Sequence, residues 1–147
     1  MKRLRRRTDH GAAAVEFALV VPMLLMILFA IITFGFLFAQ KLAIENTARQ
    51  AARYGAVENR TCADVVAEAT FAGQPLVDLA TGTITVTRGP AGSPGSPCSG
   101  EPCKGSGDMD NVTVTITYPG KVLIPVFPGM GNTLTLTAEA VFRCEWF

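Results

Sequence analysis

Residues 17–39 read FALVVPMLLMILFAIITFGFLFA, 23 positions without one charged side chain. As an α-helix rising about 1.5 Å per residue, such a run is roughly 34 Å long, enough for a hydrocarbon core of about 30 Å. It predicts a membrane span. A cleaved secretory signal has an apolar stretch of about 7–15 residues followed by a small-x-small site, whereas this run ends on Phe36, Leu37 and Phe38 before Ala39. Composition agrees: 49% of the 147 residues are apolar and 17% charged, against about 25% charged in an ordinary soluble domain. The length leaves room for one ordinary domain and excludes a large enzyme or a nucleotide-driven machine.

The net charge of +1 conceals an asymmetry, because residues 1–10 sum to +4 through Lys2, Arg3, Arg5, Arg6 and Arg7 against Asp9, and the remainder sums to −3. Nothing after the first ten residues offers a basic surface for nucleic acid. A basic cluster ahead of a span predicts a cytoplasmic N-terminus and an extracytoplasmic C-terminal part, since Lys and Arg resist translocation.

Glu16 stands at the mouth of the apolar run, five residues past Gly11. A carboxylate near the bilayer centre costs on the order of 2.5–3.5 kcal/mol by insertion scales. One reading leaves Glu16 in the interface, complementing the positive end of a helix dipole for about 0.3–1 kcal/mol. A sharper reading makes Gly11 a cleavage position, so that Ala12 becomes an N-terminal ammonium within reach of a carboxylate four residues on, in the same or a neighbouring subunit.

The ordered set over residues 7–57 resembles the TadE-type pseudopilins of the tight-adherence (Flp) pilus: a basic leader, Gly11, Ala12-Ala13-Ala14, Val15, Glu16-Phe17, Pro22, Phe34-Gly35, and the segment Asn46-Thr47-Ala48-Arg49-Gln50-Ala51-Ala52-Arg53-Tyr54. TadF and TadG chains share the N-terminal pattern, but TadG-type chains are usually far longer. The resemblance implies cleavage after Gly11 by a prepilin peptidase, with Gly11, Ala12, Glu16 and Phe17 as the processing set. It also implies subunit packing through Glu16, Pro22, Phe34, Gly35, Arg49 and Arg53.

The helix is expected to continue past the membrane. Residues 40–54 contain no Pro or Gly, and Glu45 precedes Arg49 by four, before Gly55 supplies a C-terminal cap. One helix of about 43 residues, roughly 64 Å, follows from Ala12 to Tyr54. Thr61 with Asp64 then opens a short amphipathic helix carrying Cys62, Val65, Val66 and Ala69 up to Gly73. Three alternating runs predict strands: Ile84 and Val86; Val112, Val114, Ile116 and Tyr118 between Thr113, Thr115 and Thr117; and Leu134, Leu136, Ala138, Ala140 and Phe142. The fold expected is α+β: a long N-terminal transmembrane helix, pilin-like, then a small antiparallel sheet with one apolar and one Thr-rich face, backed by the short helix. The domains are a basic leader at 1–11, the spine helix at 12–55 and an extracytoplasmic domain at 56–147. Residues 89–110, with six Gly and four Pro, form a loop. Residues 119–132 crowd Val122, Leu123, Ile124, Val126, Phe127 and Met130 among turn formers, and such a patch must cover the core or meet a partner.

Cys62, Cys98, Cys103 and Cys144 all follow the span. Their even number in an oxidising compartment predicts two disulfides. Position favours Cys62 with Cys144 and a local Cys98–Cys103 closure, and all three connectivities are open. Zinc is disfavoured because no His follows His10, and an EF-hand around Asp108 and Asp110 lacks its Gly and Glu. The same missing imidazole leaves a Ser-His or Cys-His machine without its base. No catalytic residue, cofactor, metal or small-molecule substrate is expected. The partners expected are the prepilin peptidase, other pilin or pseudopilin subunits, inner-membrane pilus assembly proteins and membrane lipid. The competing expectation is a single-pass, uncut anchor holding an extracytoplasmic binding or adhesion domain.

Overall fold

A computed structural model of the chain describes residues 10–57, 59–90, 93, 95–105, 110–122 and 131–145. The basic leader up to Asp9, Asp108, and residues 123–130 of the apolar loop lie outside the described residues.

One helix, α1 (His10–Gly55), takes up 46 residues, roughly 69 Å. Pro22 sits inside it without ending it. Beyond the apolar run its surface is laced by pairs one turn apart, with Lys41 Nζ 3.2 Å and Arg49 Nη2 3.9 Å from the Glu45 carboxylate. Gly55, expected as a cap, is the last helical residue and serves a different need. A Cβ there would stand 2.8 Å from Val65 Cγ2, so glycine lets α2 (Cys62–Ala72) cross close to the end of α1.

The start of α2 is the expected capping box: Thr61 Oγ1 accepts from the Asp64 N–H at 3.2 Å, and the Asp64 carboxylate accepts from the Thr61 N–H at 2.9 Å. Val65 and Ala69 turn inward. A single 3-10 turn at Leu79–Thr81 leads into the sheet.

The sheet has four antiparallel strands, β1 (Thr83–Pro90), β2 (Ser96–Pro97), β3 (Asp110–Lys121) and β4 (Thr133–Arg143), in the order β2-β1-β3-β4. On β3 the period-2 pattern is carried through: Val112, Val114, Ile116 and Tyr118 are buried, and Thr113, Thr115 and Thr117 face the other side. The Thr face continues across the sheet through the pairs Thr85–Thr115 and Thr117–Thr137. The apolar face is covered by α1 and α2, and its core joins Ile44, Ala48, Ala51 and Ala52 of α1 to Val65, Val112, Val114, Ile116 and Ala138. Alanines on the inner face of α1 let the helix lie close to the sheet, the usual route to a dense small core.

The expected local closure of Cys98 with Cys103 is not what forms. Cys62 bonds Cys98 and Cys103 bonds Cys144, with Cα–Cα separations of 6.1 and 5.6 Å. The cause is β2, a two-residue strand inside the Gly/Pro-rich loop. It pairs Thr87 with Pro97 and Arg88 with Ser96, and the Cys98 N–H continues to Val86 O at 2.9 Å. The Cys62 N–H bonds Gly100 O at 2.8 Å, which sets residues 98–100 against the start of α2. The Cys144 N–H bonds Asp110 O at 3.0 Å, where Cys103 meets it. Arg88 secures the same loop, giving Asp110 Oδ2 two hydrogen bonds at 3.0 and 3.2 Å and donating to the carbonyls of Lys104 and Gly105.

Candidate functional site on the exposed helix

The apolar helix is exposed over its first half and covered over its second. Every residue from 11 to 20 is exposed, and Phe17, Leu19 and Met23 each keep 70% or more of their surface. The first buried side chain is Thr33, followed by Gln40, Ile44, Thr47 and Ala48, then Ala51 and Ala52. These positions recur at helical spacing and mark one face. The part with no buried side chain, residues 11–32, is roughly 33 Å long. By length and composition α1 can cross a membrane.

Gly11, Ala12, Glu16 and Phe17 come together on the first turns of this bare segment. Ala12 and Glu16 are four apart and share a helix face. Glu16 makes no ion pair or hydrogen bond among the described residues. Gly11 is the informative one. A Cβ added there would meet nothing within 4 Å, and the residue is helical, so the fold has no steric use for a glycine that costs roughly 0.5–1 kcal/mol relative to alanine. Gly35 is equally open, between Phe34 and Phe38, whose rings stack with centroids 6.4 Å apart. Packing among the described residues requires neither glycine.

The remaining expected packing residues are not brought to that place. Pro22 and Phe34 lie on the exposed segment, but Arg49 and Arg53 lie on the outer side of the covered half. Arg49 reaches back to Glu45, and its side chain keeps 65% of its surface. Glu16 and Arg49 are 33 residues apart on one helix, roughly 50 Å at the helical rise, so within one chain they act separately.

Two residues of the covered half have no place among the sequence expectations. Thr33 Oγ1 and Gln40 Oε1 are buried without a hydrogen-bond partner. Gln40 lies against Gly120 of β3, where a Cβ would come within 3.1 Å of Gln40 Oε1. Beside it Lys41 Nζ donates to the Thr137 carbonyl of β4. The sequence signal was the position of Gln40, the last uncharged polar residue before Lys41.

Among the described residues no group of His, Cys, Asp or Glu side chains gathers to hold a metal ion. Among the described residues Asp64 has a clear shift: the hydrogen bonds from the Thr61 N–H and hydroxyl hold its carboxyl below the ordinary range against an opposing effect of desolvation, with a lesser contribution from the Arg60 charge.

Comparison with known proteins gives one finding. The family model described as TadE-like protein matches residues 11–53. No curated protein and no solved structure matches the chain. The match begins at Gly11, takes in Glu16, Pro22, Gly35, Arg49 and Arg53, and ends two residues before α1 does. The match falls on the long helix, and from Gly11 to Arg53 this chain is similar to the TadE-like family.

Proposed function

We propose that the protein is a minor pilin or pseudopilin of a tight-adherence (Flp) pilus, inserted in the bacterial inner membrane as a precursor, cut after Gly11 by a prepilin peptidase, and acting in assembly or initiation of the fibre. The TadE-like match over residues 11–53 supports a pilus role. The observation that carries the processing step is Gly11, a helical glycine for which the fold has no steric use. A peptidase that must admit backbone at that position gives it one.

The steps follow from charge and packing. The basic residues ahead of Gly11 hold the N-terminus in the cytoplasm and the domain outside. Cutting removes them, and the helix loses what tied it to the cytoplasmic face. The cut leaves an ammonium on Ala12, one turn from Glu16 and open to a neighbour's Glu16 as well. Pairing the two offsets the cost of a carboxylate at the margin of lipid. The side chains of residues 17–39 then meet other pilin helices by van der Waals contact, which is what drives helix association where lipid is as apolar as the helix. Gly35 offers a place of close approach. Inner-membrane assembly proteins and other subunits are the partners, and the work done is packing.

N-terminal sequencing of the protein from its host tests the cut. A 136-residue product starting at Ala12 is expected, and Gly11→Val should accumulate only as precursor. Equal processing of both, or an uncut wild type, would overturn the assignment and leave an anchored extracytoplasmic domain.

A further inference from the structure

The two stretches of α1 that could occupy the hydrocarbon do not coincide. The bare segment ends at residue 32, but the uncharged run extends to Ala39. Both are close to the length a bilayer needs, and the offset between their far ends is seven residues, roughly 10 Å. Glu16 decides between them. Hydrocarbon centred on residues 11–32 would bury that carboxylate about 8 Å below its margin, whereas hydrocarbon over the uncharged run leaves it at the surface. The helix therefore sits deeper on the domain side than its bare length allows, and residues 33–39, with whatever covers them, lie at or below the lipid headgroups.

The end of the sheet nearest that level can be read from its contacts with α1. α1 and β4 run the same way. Gln40 lies beside Gly120 and Lys41 bonds Thr137, while fifteen residues on the Ala56 carbonyl accepts from the Glu145 N–H at 3.0 Å. The end of β3 and the start of β4 are consequently the membrane-side end of the domain, and the disulfides and the Arg88–Asp110 pair are at the far end. Among the described residues at the membrane-side end, Leu134 of β4 (52% exposed), Phe38 (55%) and Leu42 (44%) are large apolar side chains left uncovered. Lys121, exposed and with no hydrogen bond or ion pair among the described residues, pairs across the strands with Thr133 at the same level.

We propose that this rim is a lipid-binding surface, with the β3–β4 end of the domain seated in the headgroup layer. Leu134, Phe38 and Leu42 meet acyl chains, and the ammonium of Lys121 meets lipid phosphate. Two observations name lipid as the occupant. Two of the rim's residues, Phe38 and Leu42, belong to the spanning helix itself, and Lys121, without a partner among the described residues, complements phosphate at the depth where long basic side chains place their heads. The domain is then held upright on the membrane by two contacts, helix and rim, so that neighbouring subunits meet already oriented.

This inference rests on α1 crossing a bilayer, and the test separates the two. The full chain, with Trp146→Phe to remove the native tryptophan, is reconstituted in two sets of phosphatidylethanolamine and phosphatidylglycerol vesicles, one with acyl chains brominated near the glycerol and one with acyl chains brominated near the chain end. One tryptophan at a time is placed at Leu25, Phe38, Leu134 or Phe142. L25W should lose most of its emission to the deep bromines, F38W and L134W most of theirs to the shallow ones, and F142W, eight residues along β4 and about 26 Å from Leu134, should keep its emission in both. F38W lies on an exposed helix face, so it reports depth even if L134W disturbs the sheet. Quenching at L25W without quenching at F38W and L134W overturns the rim and leaves the span standing. Quenching at F38W but not at a folded L134W also overturns the rim, as does equal quenching of F142W, and an unquenched L25W removes the membrane reading itself.

Discussion

Along α1, residues 11–32 stand without a single buried side chain, whereas Ile44, Ala48, Ala51 and Ala52 lose all of their exposure against the sheet. The backbone is the same helix throughout. What differs is the arrangement of apolar side chains around it. The first half is apolar on every side, which suits lipid or a bundle of like helices. The second half gathers small apolar residues on one face and puts Glu45, Arg49 and Arg53 on the other, which suits a domain in water. A helix of this kind has two solvents, and its function divides in the same place: the bare half meets other molecules and the covered half holds the domain to it.

The comparison can be broken most severely at Glu16. Glu16→Ala removes the sole charge between residues 11 and 39. It should insert in the membrane as well as the wild type, melt with an unchanged domain transition and yet fail to support piliation. Normal pilus counts by electron microscopy at normal protein level would reduce the bare half to an anchor.

A matched pair of isoleucines sharpens the same contrast. Ile44 is fully buried and Ile27 is 50% exposed. Ile44→Ala should cost about 2–5 kcal/mol of domain stability by urea titration in detergent, the range for deleting buried aliphatic side chains. Ile27→Ala should leave that titration unmoved. A cost from Ile27→Ala comparable to that of Ile44→Ala would mean the bare half folds with the domain and the division drawn here is false.

What could be read in advance divides along similar lines. Features carried by consecutive residues were legible. The uncharged run gave the helix its place, Thr61 and Asp64 announced the cap of α2, and the alternation from Val112 to Tyr118 became the central strand with the expected face inward. Features that depend on two distant segments meeting were not. β2 is two residues long, one of them proline, and has no period to detect, yet it decides where Cys98 lies. The disulfide pairing therefore reversed the expectation of a local closure. The Arg88–Asp110 pair, 22 residues apart, is a further case. So is the first contact shown between the sheet and α1, Gln40 against Gly120, since nothing in an unbroken apolar run marks the position at which a sheet begins to lean on the helix. In the candidate site the residues were expected from their order along the chain, and the separation of Arg49 and Arg53 from Glu16 follows from their lying 33 or more residues apart on one helix.

The disulfides provide the next prediction, smaller than the core deletion or equal to it. Cys103 and Cys144 close a loop with a sequence separation of 41 and tie the end of β4 to the loop beside β1. Replacing both by serine should lower stability by about 2–4 kcal/mol, by freeing the unfolded chain. Non-reducing peptide mapping checks the connectivity directly. A peptide joining Cys98 to Cys103 would contradict the structure, and with it the placement of β2.

The smallest expected effect is at the cap of α2, and it tests whether the covered half of α1 depends on what packs against it. Thr61 Oγ1 accepts from the Asp64 N–H, and the Asp64 carboxylate accepts in return from the Thr61 N–H and from the Thr61 hydroxyl at 2.7 Å. Thr61→Ala should cost about 0.5–2 kcal/mol, the range for losing a helix N-cap. The pH dependence gives a second readout. The hydrogen bonds from Thr61 lower the Asp64 pKa below its ordinary 3.8, so the folded state binds that proton less readily than the unfolded chain. The contribution to stability is accordingly complete above the unfolded value and is lost as the pH falls through the lower folded one. Wild type should therefore destabilise more steeply than Thr61→Ala below about pH 4, where the model carboxylate begins to protonate. Since Val65 of α2 lies against Gly55 at the end of α1, fraying of α2 should also speed hydrogen exchange at Ala51 and Ala52 while residues 17–32 exchange as before. Parallel acid titrations for the two proteins would show that the cap adds nothing, and that α2 is held by Val65, Ala69 and the Cys62–Cys98 bond alone.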